Sequence, residues 1–250
     1  MKRIKTGIKG FDELVQGGFP EGSSTLITGS PGTGKSIFGL QYIYNGAIKY
    51  KERGLYLTFE QRKTDMMNQA VQFGWDFGKL ERARKAEILA IPITKVTHET
   101  IEMLKEKMKK EKIKRLVVDS LTALTVNAPI YAAVKDMAIK DIVSESTVLS
   151  PPIVGDFLVK HFIYSFIESL QELEDVTSIL ISENSSEPGF LSRDTVSEFA
   201  CDGVVVINFE SLGGEYSRTL IVRKMRQTKN DENVHPLEVS DKGLVVHELK

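Results

Sequence analysis

Eight residues constrain this chain more than any others: Gly29-Ser30-Pro31-Gly32-Thr33-Gly34-Lys35-Ser36. The run meets every fixed position of the phosphate-binding pattern G-x-x-x-x-G-K-[S/T]. Its surroundings suit the same chemistry. Thr25-Leu26-Ile27-Thr28 reads as a short buried strand, and Ile37 to Tyr50 carries helical apolar spacing through Leu40, Tyr44 and Ala47. A strand, a glycine loop and a helix start bring backbone N–H groups and the positive helix end onto one anion. Lys35 is expected to reach the β- and γ-phosphates, and the Ser36 hydroxyl to ligate Mg²⁺. Nucleotide contact is assigned to Ser30, Gly32, Thr33, Gly34, Lys35, Ser36 and Ile37. A bound nucleoside triphosphate is the reading that follows.

The rest of the composition excludes more than it selects. At 250 residues, 41% hydrophobic and 27% charged, the chain fits one large α/β domain over 1–250. Residues 1–22 form a glycine-rich lead-in, and 121–155 an irregular insertion. A net charge of −1 gives no global pull toward nucleic acid or anionic membrane. The single Cys201 rules out an internal disulfide and suits a reducing compartment. The basic start is interrupted by Gly7, Lys9 and Gly10 before any apolar run, so no secretory leader is expected. No stretch approaches the ~18–20 apolar residues of a membrane span. A soluble, cytoplasmic protein is expected.

Along the chain, Gly54-Leu55-Tyr56-Leu57-Thr58-Phe59 is a continuous apolar run ending at Glu60, as a parallel strand buried on both faces would be. A helix is predicted over 65–74, capped by Thr64 or Asp65, with Met67, Ala70 and Val71 inward and Trp75-Asp76-Phe77 closing it. A weaker strand covers 87–91. The helix predicted over 97–112 puts Ile101, Leu104 and Met108 on one face; its lysines read as a solvated face suited to a helix C-terminus. Arg115-Leu116-Val117-Val118-Asp119-Ser120 has the form of a Walker B strand, whose Asp119 orients Mg²⁺. After the insertion come a helix predicted over 156–174, strands at 176–181, 203–208 and 218–225, and a terminal hairpin turning at Asp241-Lys242-Gly243. The histidines at 98, 161, 235 and 247 have no metal-ligand spacing.

Several of these segments together resemble the RecA-like ATPases of the KaiC group. They are Gly10-Phe11-Asp12, Gly17-Gly18-Phe19-Pro20-Glu21-Gly22 running into the phosphate loop, Thr58-Phe59-Glu60, Phe73-Gly74-Trp75-Asp76, Val118-Asp119-Ser120, Glu198 to Asp202, and Lys224-Met225-Arg226-Gln227-Thr228. The likeness spans nearly the whole chain and points to single-domain archaeal KaiC-like proteins. It implies an α/β fold of the RecA-like P-loop NTPase type: a twisted, mainly parallel sheet flanked by helices. It further implies a homo-oligomeric ring, typically hexameric, with ATP and Mg²⁺ between neighbouring copies. By position, Glu60 resembles the carboxylate that orients and deprotonates the attacking water. Lys224 and Arg226, two apart on a strand, resemble cations that reach a neighbour's γ-phosphate. Thr228, Asn230, Ser240 and Asp241 fall where the family contacts sugar and base across the interface. Gln61 stands where the family's two-domain clock member has a second glutamate, and Gln227 where glycine is common.

Two functions compete on this reading. One is an oligomeric ATPase, hydrolysing ATP slowly at subunit interfaces and regulating an unidentified protein partner. The other is a DNA-handling recombinase or motor. RecA-like channels are lined by loops that fall here at roughly 124–156 and 185–199. In the first, Lys135 and Lys140 face Asp136, Asp141, Glu145 and Asp156; in the second, Arg193 faces Glu187, Asp194 and Glu198. Lys and Arg neutralising phosphate supply most non-specific DNA affinity, so two net-acidic loops favour the first function. A Ser/Thr cluster at 144–150 reads as a polar loop, not a modification site.

Overall fold

The computed structural model describes residues 2–127, 151–185, 187–212 and 215–248. A small ribbon comes first: β1 (Arg3–Ile4) pairs antiparallel with β2 (Phe19–Pro20), around the short helix α1 (Phe11–Leu14). The chain then enters β3 (Ser24–Gly29) and α2 (Lys35–Asn45), followed by β4 (Gly54–Thr58), α3 (Lys63–Gln72), α4 (Phe77–Arg82) and β5 (Ala86–Ala90). Next are α5 (His98–Lys110), β6 (Arg115–Asp119), α6 (Leu121–Asn127), α7 (Pro151–Gln171), β7 (Thr177–Glu183) and α8 (Ser197–Ala200). Four strands finish the chain: β8 (Gly203–Leu212), β9 (Glu215–Met225), β10 (His235–Ser240) and β11 (Gly243–Val246).

These strands form one nine-stranded sheet in the order β11-β10-β9-β8-β3-β7-β6-β4-β5. The six from β8 to β5 run parallel; β9, β10 and β11 extend the sheet as antiparallel ribbons. The mainly parallel α/β fold is therefore present. Alternation along β3 supplies both faces: Ile27 packs with Phe38, Tyr42 and Ile43 of α2, while Leu26 packs with the cluster under α5 and α7. On that second face Leu104 and Met108 of α5 meet Phe166 and Leu170 of α7, as the helical spacing predicts.

Local chemistry explains where element bounds differ from expectation. Helix α3 starts at Lys63 after Arg62, with no side-chain cap from Thr64 or Asp65, and it buries Met66 and Ala70 while Val71 is exposed. Trp75-Asp76-Phe77 does not only close a helix. Asp76 Oδ1 accepts the Lys79 N–H at 2.8 Å and caps α4, a helix the apolar spacing did not signal. Thr97 caps α5 through a reciprocal bond with Thr100. The insertion expected over 121–155 is helical at both described ends, α6 and the start of α7. Pro151 opens α7, where a missing N–H costs no hydrogen bond. The Ser/Thr cluster at 144–150, and Lys135, Asp136, Lys140, Asp141 and Glu145, lie outside the described residues. The terminal hairpin turns where expected. Gly243 sits at φ +111°, and a β-carbon there would approach Trp75 to 2.6 Å.

Candidate nucleotide site

The parallel strands β3, β7, β6 and β4 end along one sheet edge. Gly29 pairs across to Glu183, and Thr58 to Asp119. Between β3 and α2 the phosphate loop turns through left-handed Gly32 (φ +80°) and Gly34 (φ +110°), conformations that glycine adopts without a steric cost. Lys35 is buried and folds back over the loop, its Nζ donating to the carbonyls of Gly29 at 2.7 Å and Ser30 at 2.9 Å. Burial pushes the Lys35 ammonium below its ordinary pKa, while Glu183, Asp119 and Glu60 pull the other way. Thr33 Oγ1 donates to the Ser30 carbonyl and tightens the loop. Ile37 is the third residue of α2, partly buried against the core.

Opposite the loop, Ser36 Oγ donates to Asp119 Oδ2 at 2.8 Å. Asp119 is 5% exposed, and burial raises its pKa against the lowering effect of its hydrogen bonds from Tyr56 and Ser36. A hydroxyl and a carboxylate oxygen at this spacing are the hard donors that a Mg²⁺ ion takes beside phosphate. The residues present therefore fit the cation. Glu60, two residues past Thr58, is exposed, and Ser120 Oγ donates to its Oε1. One edge thus gathers Ser30, Gly32, Thr33, Gly34, Lys35, Ser36, Glu60 and Asp119.

Lys224 and Arg226 lie elsewhere. Strand β8 runs parallel to β3, with Gly203 beside Thr25 and Ile207 beside Gly29; β9 returns antiparallel so that Met225 faces Gly203. The two cations consequently sit at the opposite sheet edge from their own phosphate loop. They are together there. Lys224 Nζ donates to the carbonyls of Glu198, Phe199 and Cys201, and Arg226 Nη2 also donates to Phe199 O. Arg226 pairs with Asp202 at 3.1 Å yet keeps 51% of its side chain exposed. Their common direction does not come from simple strand alternation. Strand β9 ends at Met225, Arg226 lies in the turn beyond it, and a register shift places Lys224 beside Val204 and Val222 beside Val205. Burial and the neighbouring Arg226 charge hold the Lys224 ammonium below its usual pKa.

The remaining assigned residues divide between the two edges. Thr228 accepts from Arg3 at 2.6 Å, and Asn230 Nδ2 donates to Val222 O at 2.8 Å, both near the Arg226 turn. Ser240 and Asp241 form the β10–β11 turn, which packs on α2 through the Gln41–Leu244 hydrogen bonds, on the phosphate-loop side.

A family model described as "ATPase: KaiC" matches residues 4–142 and 125–250. This chain belongs to the KaiC ATPase family. Among its relatives are UPF0273 proteins of Thermotoga maritima, 31% identical over 99% of this chain and 96% of that protein, and of Methanocaldococcus jannaschii, 32% identical over 99% and 97%. The circadian clock oscillator protein KaiC of Prochlorococcus marinus is 31% identical, but the chain spans only 46% of its length. A solved KaiC-like protein of Pyrococcus horikoshii matches with a TM-score of 0.80 and 33% identity, covering 99% of both chains.

Within this KaiC-family chain, two contacts at the site carry no sequence signal. Tyr56 OH donates to Asp119 Oδ2 at 2.6 Å from inside the sheet, and Ser120 orients Glu60. A tyrosine in a buried strand and a serine after an aspartate are common; only the register of β4 against β6 brings them to the carboxylates. Gln227 adopts φ +57°, a left-handed conformation that glycine takes at least cost. Among the described residues no helix is long and apolar enough to cross a membrane, and no three or more His, Cys, Asp or Glu side chains form a metal site separate from the Ser36–Asp119 pair.

Proposed function

We propose that this chain is a Mg²⁺-dependent ATPase whose sites are completed between copies in a closed ring, typically of six. Slow hydrolysis there would set an assembly or conformational state read by a protein partner. One observation supports this above all others. The phosphate loop and the Lys224–Arg226 pair occupy opposite sheet edges of the same chain. Their register positions on β8 differ by four residues, about 13 Å of strand, before the phosphate loop itself is counted. Those cations cannot serve their own nucleotide.

In this reading Lys35 leaves its loop carbonyls for the phosphate oxygens, with the glycine-loop N–H groups around them. Ser36 and Asp119 would hold the Mg²⁺, which would supply charge neutralisation beside the phosphates. Glu60, oriented by Ser120, aligns a water and takes its proton as the water oxygen bonds to the γ-phosphorus. The bond to the β–γ bridging oxygen breaks, and ADP leaves. Arg226 and Lys224 from the adjacent copy balance the negative charge that accumulates on the transferring group, an effect worth about 10³–10⁵ in rate. Steady-state ATPase assays of the wild type and Glu60→Gln test the chemistry, and light scattering with and without ATP and Mg²⁺ tests the assembly. Equal rates for the two proteins would remove Glu60 as the base. A monomer turning over at full speed would remove the shared site.

The loop at 185–199 also argues against a DNA motor. Its one basic residue, Arg193, is paired with Glu183 at 3.1 Å, while Glu198 and Asp194 are buried acceptors in a serine network. Little cationic surface is left for a phosphate backbone.

A further inference from the structure

Beyond Met225 the chain turns through residues 226–231, and the lead-in segment takes hold of that turn. Arg3 Nη2 donates to Gln227 O at 3.0 Å and its Nη1 to Thr228 Oγ1 at 2.6 Å. The Gln16 side-chain carbonyl accepts from Lys229 N at 3.2 Å and from Arg3 Nη2 at 3.4 Å. Asp231 N donates to Leu14 O at 2.9 Å. On the other flank Arg226 N donates to Asp202 O at 2.8 Å. The turn is thus held from both sides, with Arg226 on its outer face.

Arg3 itself rests on a rigid base. It belongs to the β1–β2 ribbon, and at Gly18 a β-carbon would come within 2.4 Å of Ile4 O. Among the described residues no carboxylate lies within salt-bridge range of Arg3. Its donors are directed at the turn, at Gly18 O and at Gln16. A half-buried guanidinium that spends its hydrogen bonds on a turn fixes the orientation of that turn, and Arg226 is the first residue of it. We propose that Arg3, supported by Gln16, is a positioning residue for hydrolysis: it sets the 226–230 turn so that Arg226 meets the nucleotide of the next copy. This rests on the shared-site reading above. It also gives the lead-in segment a catalytic duty for a site on another molecule.

The test is complementation between defective proteins. Lys35→Ala removes the phosphate grip but keeps an intact second edge; Arg3→Ala keeps the grip and loosens the edge. Arg3→Ala alone should lose about 10²-fold in kcat, the scale of a misplacement near 1 Å, with KM for ATP unchanged. Arg3→Lys should recover part of that loss. Mixing Arg3→Ala with Lys35→Ala should restore turnover well above either alone, because some intact loops then face intact edges. An Arg226→Ala plus Lys35→Ala mixture is the control. If the control complements and the Arg3 mixture does not, Arg3 is only a structural staple and the proposal falls while the shared site stands. If the control also fails, both fall. A Gln16→Ala protein with unchanged kcat would remove Gln16 from the device.

Discussion

The two edges of the sheet handle positive charge in opposite ways. At the first, Lys35 is buried over loop carbonyls, and Asp119 is already bonded to Ser36 and Tyr56. That edge is assembled within one chain. At the second, two cations behave differently from each other. Arg115, at the start of β6, is fully buried; its Nε donates to Glu52 at 2.7 Å, its Nη1 to Tyr42 O, its Nη2 to Lys5 O, and it stacks over Tyr42. Arg226 is half exposed and shares Asp202 and one carbonyl. Arg115 is sealed off from any outside partner. Arg226 keeps 51% of its side chain open to solvent. Burial and the number of hydrogen bonds made distinguish the two cations.

The comparison can be broken by substitution. Arg226→Ala with Lys224→Ala should lower turnover about 10³-fold or more while nucleotide affinity, followed with a fluorescent analogue, changes little. A matching loss of affinity would mean these cations act on ground-state binding instead. Arg115→Ala should do the reverse. It strands the half-buried Glu52 and empties a packed site against Gly46, costing about 3–5 kcal/mol in a denaturant melt, with turnover per folded molecule preserved. Ser120→Ala frees Glu60 and should lower kcat about tenfold, a fraction of what a general base contributes. An unchanged kcat would show that bound water orients Glu60 without help. Gln227→Gly should have the smallest effect. Relief of the left-handed backbone is offset by glycine's greater freedom when unfolded, leaving a gain below about 1 kcal/mol in thermal unfolding.

The first edge was legible in the sequence because its chemistry needs fixed residues at fixed spacing: the glycine loop, Lys35, Ser36, and strands ending in Glu60 and Asp119. A doubly buried parallel strand is legible in the continuous apolar run at 54–59, while the mainly parallel sheet follows from the family resemblance. What stayed hidden joins residues far apart in the chain. Tyr56 and Ser120 reach carboxylates 63 and 60 positions away, and Arg3 reaches Thr228 across 225. No periodicity encodes such meetings; register and packing create them. Helix α4 escapes the sequence reading for a local reason: α3 ends at Gln72, and Asp76 caps a separate helix of only six residues. Lys224 and Arg226 stood out only through resemblance, and their convergence depends on a bulge that simple alternation does not anticipate.

A molecule with its socket on one rim and its plug on the other joins head to tail. In an open string of such molecules the first plug and the last socket stay idle, whatever the string's length. Closure removes both loose ends in a single step. Switching between string and circle would then change the count of working sites without altering any one of them, and a binding partner could exert control by prising apart one seam.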